Sequence, residues 1–282
     1  MGSFLQNVIQ SLAPGSPYFD GYGQRLNSNV IRNQPGQSIS TFYSYQVIGL
    51  WNNAEEIKGA DALALVAAKA AVKDPTSVTA TTFQDGEGLG RFRYADLNGD
   101  GRITDADRTF LGSPVPKFTG GATLTLRYKG FDLPGYLYTS PGNKIFNNSK
   151  WYTDFYPSFP GAAISARVLD SWTPANTNTS QPIFEGASNF STNTVANSFY
   201  VENGSYLRLR YVSLGYNLPA SALSAIGLKH VRFSLSANNL FTITGYKGLD
   251  PAVGGAADTN FGVDIGNYPV THGYNTGLNI TF

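Results

Sequence analysis

Oxygen-bearing side chains alternate along residues 96–107 in a pattern that could hold a metal ion. The candidate ligands are Asp96, Asn98, Asp100, the backbone carbonyl of Arg102, and Asp107. This is the spacing of a calcium loop, in which the cation takes about six to eight oxygen ligands. Aspartate at the closing position has a shorter arm than the usual glutamate, which would weaken Ca²⁺ binding or admit Mg²⁺, the less favoured ion. A turn rich in Asp and Asn, with no ion, would have the same residues.

Composition argues against several other classes of function. The chain has 282 residues and a formal net charge of +1, so it lacks the basic surface of a nucleic-acid-binding protein. It has no cysteine, which excludes disulfides and thiolate metal sites. The only histidines, His230 and His272, lie at the edges of predicted strands without a nearby serine and aspartate, so we predict that the protein is not an enzyme.

Alternation of apolar and polar residues predicts an all-β fold with about seven antiparallel strands. The segments are 22–32, 38–48, 119–128, 131–139, 206–218, a strand that begins at 231, and 274–282. A switch of parity in the fifth segment predicts a β-bulge near Tyr211. One helix is predicted over 53–73, because this segment is rich in alanine and Asn53 can serve as its N-cap.

Strands of about ten residues, joined alternately by short and long connections, are typical of a transmembrane β-barrel. A soluble β-sandwich gives a similar alternation, so two alternatives stay open. One is a secreted or surface-displayed β-sandwich that binds carbohydrate and uses calcium structurally, and the other is a complete small porin-like barrel. No window is apolar enough for a membrane helix, and the first residues do not have the pattern of a secretory signal.

Seven motifs, taken in order, carry a resemblance to a known family. They are DLNGDGRITDADRTFLGSPVPKFTGG at 96–121, YKGFDL at 128–133, GNKIFN at 142–147, ENGSYLRLR at 202–210, NNLFTIT at 238–244, GLDP at 248–251 and GLNITF at 277–282. In their order and spacing they resemble the C-terminal part of a SusC/RagA-type TonB-dependent outer-membrane transporter. The resemblance extends from about residue 27 to the end of the sequence.

The resemblance implies a large barrel of about 22 strands filled by an N-terminal plug. Such a protein imports glycans or peptides with energy passed from the inner membrane by TonB, and a SusD-type surface lipoprotein lids the barrel and captures substrate. Residues 1–282 contain no match to the plug or to a TonB-contacting segment, so we expect a partial barrel, in the outer membrane and inactive alone. A truncated gene or a split reading frame would explain this.

The same resemblance assigns roles to three sets of residues. It implies that the last strand ends at the periplasm, with Leu278, Ile280 and Phe282 as the assembly signal. The longest connections, 49–118, 140–196 and 244–267, then lie outside the cell, and the calcium loop becomes a structural clip in the first of them. Aromatic residues of the second connection are candidates for contact with a sugar ring or with the lipoprotein, although packing within the loop would use the same residue types: Trp151, Tyr152, Phe155, Tyr156 and Trp172.

Overall fold

The computed structural model describes residues 1–21, 26, 29–156, 161–224, 227–255 and 258–282. Its strands are β1 (Gly2–Phe4), β2 (Phe19–Gly21), β3 (Ile31–Asn33), β4 (Thr41–Tyr45), β5 (Val47–Leu50), β6 (Phe92–Tyr94), β7 (Arg108–Gly112), β8 (Phe118–Tyr128), β9 (Phe131–Ser140), β10 (Lys144–Asn147), β11 (Val201–Asn203), β12 (Tyr206–Asn217), β13 (His230–Thr244), β14 (Val263–Asp264) and β15 (Gly273–Thr281). Its α-helices are α1 (Ala54–Ala70), α2 (Ser149–Thr153) and α3 (Ala220–Ser224). No helix in the described ranges is both long and apolar enough to cross a membrane.

The longest strands form one antiparallel sheet of six strands, in the order β1-β8-β9-β12-β13-β15. A two-residue turn joins β8 to β9, with positive φ angles of 45° at Lys129 and 86° at Gly130. Both angles belong to the hairpin turn whose twist matches that of the flanking strands. The pairing of β12 with both neighbours shifts between Leu209 and Tyr211, which confirms the predicted bulge.

One face of the six-stranded sheet carries exposed apolar side chains. Cross-strand partners on this face include Leu126 with Leu133, Leu214 with Leu235, and Phe233 with Leu278. A β-sandwich would bury such a face against a second sheet, whereas here all six of these residues are exposed. The sheet therefore has the surface of a barrel wall, which agrees with the predicted segment of a transmembrane β-barrel.

The hydrophobic core lies outside this sheet, among three smaller sheets built from the connections. These sheets have the strand orders β2-β3-β4-β7, β5-β6 and β11-β10-β14. The largest buried side chains of their shared core are aromatic: Phe42, Phe92, Tyr94, Phe146 and Tyr200. We call this assembly the loop domain. Its core leaves the apolar face of the six-stranded sheet uncovered.

Two of the seven predicted strands belong to the loop domain instead of the long sheet. Most of segment 22–32 lies outside the described residues. At the end of this segment, β3 pairs with β4 in the sheet β2-β3-β4-β7. Segment 38–48 is divided between β4 and β5, which lie in different sheets. The prediction of one strand was wrong because β4 is covered on both faces: Phe42 enters the core, and on the opposite parity Thr41 and Tyr45 are also buried.

The predicted helix is confirmed as α1, the one long helix among the described elements, in the connection between β5 and β6. The Asn53 side chain accepts a 2.9 Å hydrogen bond from the backbone N–H of Glu56. Such a cap satisfies one of the N–H groups that the first helical turn leaves free. The helix ends at Ala70, three residues before the predicted end.

Candidate functional site

Antiparallel pairing brings the long connections together at one end of the six-stranded sheet. Residues 141–205 follow β9 and residues 245–272 follow β13, and both connections leave the sheet at the same end. The short turn at 129–130 and the connection at 218–229 lie at the opposite end. The aromatic candidates lie in the first of these connections, and the metal loop lies between β6 and β7, so both belong to the loop domain.

Residues 96–107 fold into a compact turn held by its own polar side chains. The Asp96 carboxylate accepts hydrogen bonds from the backbone N–H groups of Gly99, at 2.7 Å, and Gly101, at 2.9 Å. Asn98 accepts one from Asp100 N at 2.8 Å, and Asp100 Oδ2 accepts one from Asn98 Nδ2 at 2.9 Å. Gly101 has a positive φ of 81°, as the turn requires.

Asp107 is fully buried and ties the two ends of this turn together. Its Oδ1 accepts a 2.9 Å bond from Leu97 N, and its Oδ2 accepts a 2.8 Å bond from Thr104 N. The Thr104 side chain in turn accepts from the N–H of Ala106, which completes a reciprocal cap at the start of a short 3₁₀ turn. Asp107 thus closes the loop through backbone donors.

The loop geometry supplies only part of a calcium cage. Asp96, Asn98 and Asp100 alternate along the turn as predicted, whereas both oxygens of Asp107 already face N–H donors. Within the described ranges, no three His, Cys, Asp or Glu side chains converge in an arrangement that could hold a metal ion. Binding of Ca²⁺ by Asp96, Asn98, Asp100, Arg102 and Asp107 stays a prediction, and the ion would have to turn Asp107 away from its present partners.

The aromatic residues proposed as contacts divide into core and surface. Phe155 and Trp172 are core residues of the loop domain, so packing explains them and they are not available to a ligand. Trp151 is half-buried and donates through Nε1 to the carbonyl of Asn193 at 2.9 Å. Tyr156 is exposed and lies 5.5 Å, between ring centroids, from Phe184. Tyr152 lines a cavity.

That cavity, here called the loop cavity, has a volume of about 460 Å³. It lies between segments 147–167 and 247–266, which come from the two connections that follow β9 and β13. Its lining includes Asn147, Ser149, Tyr152, Arg167, Lys247 and Ile265. The sequence predicted Tyr152 as a possible contact but not the cavity itself, because the cavity walls come from segments about a hundred residues apart.

Two ion pairs lie next to the loop cavity, one through Arg167 of its lining and one through Glu202, which contacts Asn147. Arg167 binds the buried Asp154 carboxylate through Nε and Nη2, each at 2.7 Å. Lys150 pairs with Glu202 at 2.9 Å, and both side chains are largely buried. Such charges are stable away from water only when they are paired and hydrogen-bonded. The two ion pairs therefore hold these four side chains in fixed positions next to the cavity.

A third ion pair anchors the connection 245–272 to the barrel wall. Arg208 on β12 is 2% exposed and donates through Nη2 to Asp250 Oδ1 at 2.7 Å. Asp250 also accepts from the backbone N–H groups of Ala252, at 2.8 Å, and Val270, at 3.0 Å. Burial alone would raise the pKa of the Asp250 carboxyl, but these hydrogen bonds outweigh it and lower the pKa below its usual value. Asp250 thereby holds both ends of this connection.

The proposed assembly residues lie on the apolar face of β15 and just beyond it. Leu278 and Ile280 are exposed and stand opposite Phe233 and Val231 of β13. Phe282 is 79% exposed. This placement is compatible with recognition by another protein, and the assembly role stays a prediction.

Comparisons with known proteins agree on one family. No family model matches the chain. TonB-dependent receptor P3 of Formosa agariphila is 36% identical over 98% of this chain, and TonB-dependent receptor SusC of Bacteroides thetaiotaomicron is 26% identical over 67% of it. The solved structure of the RagAB peptide transporter covers 98% of this chain with a TM-score of 0.68 and 21% identity, which shows a shared fold.

The match covers only part of each relative. The chain spans 26% of receptor P3, 17% of SusC and 25% of the solved RagAB chain. The barrel wall, the bulge in β12 and the loop domain described above are thus those of a segment within a larger architecture. The chain belongs to the SusC/RagA-type family of TonB-dependent transporters and represents a part of such a protein.

Proposed function

We propose that this chain forms C-terminal barrel wall and external loops of an outer-membrane transporter that imports glycans or peptides. The observation that carries the proposal is the six-stranded sheet, whose apolar side chains are exposed on one face while buried ion pairs such as Arg208–Asp250 lie on the other. Barrel strands in a membrane have this distribution, because one face contacts lipid and the other faces the lumen.

The sheet also needs further strands to function in a membrane. Among the described residues, β15 has no partner along its outer edge, and β1 covers only three residues of β8. Lipid offers no hydrogen-bond partners to free backbone groups, so an open edge is unstable in the membrane core. We propose that other strands of the same transporter close the barrel, and that the 282-residue chain does not transport alone.

The partners proposed for the intact transporter follow from its relatives. A SusD-type surface lipoprotein would contact the loop domain from outside, and TonB would act through the N-terminal region of the intact transporter. The similarity to SusC and to RagAB supports this proposal, and one of those relatives is described as a peptide transporter. A peptide or an oligosaccharide is the corresponding substrate class.

Fractionation of cells that express the tagged chain tests the proposal. We expect the chain in the outer-membrane fraction, extracted only by detergent. When it is produced with the rest of the transporter, we expect co-purification with a surface lipoprotein and uptake of glycan or peptide. A chain that stays monomeric in buffer without detergent would contradict the proposal and would favour a carbohydrate-binding module.

A further inference from the structure

Two residues that line the loop cavity carry buried polar atoms without a hydrogen-bond partner among the described residues. Asn147 is 1% exposed; its Nδ2 donates to Glu202 at 3.3 Å, while its Oδ1 has no hydrogen-bond partner among the described residues. Ser149 Oγ, on the same wall, is buried and also lacks a partner there. A buried acceptor without a donor costs about 1–3 kcal/mol, so such atoms are usually satisfied by water or by a ligand.

Positive charge lies at the cavity alongside these atoms. Lys247 is exposed, lines the cavity, and has no carboxylate within ion-pair distance in the described part of the chain. Arg167 is held by Asp154 through Nε and Nη2, and neither bond uses its Nη1. The Arg167 guanidinium is thus fixed in position, and its Nη1 can still donate a hydrogen bond. The Lys247 ammonium can move toward a ligand.

Part of the remaining wall is apolar, beside the hydroxyl-bearing Thr153 and Ser165. Leu249 and Ile265 come from the connection 245–272, and the ring of Tyr152 comes from α2. A volume of about 460 Å³ is within the range of small-molecule sites, which are typically lined by apolar side chains with a few placed polar groups. The cavity thus combines a cationic group, a buried acceptor and an apolar surface.

We propose that the loop cavity binds a small ligand that carries a carboxylate, a hydrogen-bond donor and an apolar face. Lys247 and Arg167 Nη1 bind the carboxylate, Asn147 Oδ1 accepts from an N–H or O–H group, and Leu249 and Ile265 contact the apolar part. The carboxyl end of a short peptide and an acidic sugar share this chemistry. The inference rests on the proposed function, since it identifies a substrate class for the same transporter.

Isothermal titration of the 282-residue chain in detergent micelles tests the site directly. The ligands are a leucine tripeptide, the same tripeptide with an amidated carboxyl end, and a disaccharide of glucuronic acid. We expect the free tripeptide or the acidic disaccharide to bind and the amidated tripeptide to bind about tenfold more weakly, since a hydrogen bond to a charged group contributes about 1.5–3 kcal/mol. Binding by the disaccharide alone identifies an acidic sugar as the source of the carboxylate.

Two substitutions distinguish binding in the loop cavity from binding elsewhere on the chain. Lys247→Gln removes the free cation at an exposed position, so the fold should be retained, and we expect about a tenfold loss of affinity. Lys73→Gln is the matched control, because Lys73 is also exposed but does not line the cavity. Near-ultraviolet circular dichroism of each variant verifies that the loop domain is folded.

Either of two results would overturn the proposal: no heat from any ligand at millimolar concentration, or equal affinities of the free and amidated peptides with no effect of Lys247→Gln. The titration involves neither transport nor a partner protein. Its failure therefore leaves the outer-membrane fractionation unaffected, and a failure of that fractionation leaves the titration result in place.

Discussion

Removal of the Asp107 carboxylate should open the loop 96–107 without any metal being involved. Asp107→Ala deletes two short hydrogen bonds, from Leu97 N at 2.9 Å and from Thr104 N at 2.8 Å. Two further contacts, from Asn98 N and the Thr104 hydroxyl, are 3.4 Å long and contribute little. The change therefore removes the closure of the turn while leaving its exposed side chains intact.

The magnitude follows from these two bonds. A hydrogen bond to a charged acceptor contributes about 1.5–3 kcal/mol, and the lower value applies because Leu97 and Thr104 are exposed and water can replace the carboxylate. Two bonds then give about 3 kcal/mol, which is about a hundredfold in the opening equilibrium. Since β7 begins at the next residue, its pairing with β4 should weaken at the same time.

Hydrogen exchange followed by mass spectrometry, in detergent and with EDTA, measures this opening over residues 92–112. We expect a loss of protection of about a hundredfold for Asp107→Ala. The control is Asp100→Ala, which removes an exposed carboxylate that accepts from Arg102 N at 2.9 Å, and we expect less than about a tenfold loss. Equal protection in the wild type and in Asp107→Ala would refute the reasoning.

Three further predictions concern the ion, a coupled carboxyl and the terminal residue. Isothermal titration of Ca²⁺ into the folded chain should give heat that Asp96→Ala and Asp100→Ala abolish, and identical heats in all three proteins would remove the site. Burial, then a hydrogen bond and the charge of Asp61, raise the pKa of Glu87 to about 8. The folded state therefore holds a proton that the unfolded chain releases near pH 4.5, so stability should fall as the pH rises from about 4.5 to 8. In Glu87→Gln, the melting temperature should no longer fall with pH across this range. An unchanged fall would show that Glu87 does not cause it. Phe282→Ala should reduce the amount of chain recovered in the outer-membrane fraction, and a wild-type amount would argue against a terminal signal.

Local patterns in the sequence predicted much of the barrel wall. Strict alternation gave β8, β9, β12, β13 and β15, because a strand with one exposed and one covered face repeats every two residues. The parity switch located the bulge beside Tyr211, and Asn53 located the start of α1. Each of these features depends on residues that are close together in the chain, so it can be predicted from the sequence alone.

The same patterns failed where burial depends on distant segments. Alternation in 38–48 suggested a wall strand, but the core covers both faces of β4, and the backbone changes sheet at β5. Phe155 and Trp172 were predicted as contacts because their types suit ligand binding, yet both pack in the core. Residue type does not show whether an aromatic ring is enclosed by other parts of the chain.

The sequence by itself determined the strand periodicity, the hairpin and bulge, the chemistry of the loop 96–107 and the family of the chain. Only the tertiary structure decided that Asp107 closes its loop through backbone N–H groups, that Arg208 and Asp250 fix a connection to the wall, and that Asn147 and Lys247 share a cavity. The physical reason is distance along the chain. Periodicity and turn chemistry act between neighbouring residues, whereas ion pairs and cavities depend on how segments separated by tens of residues pack together.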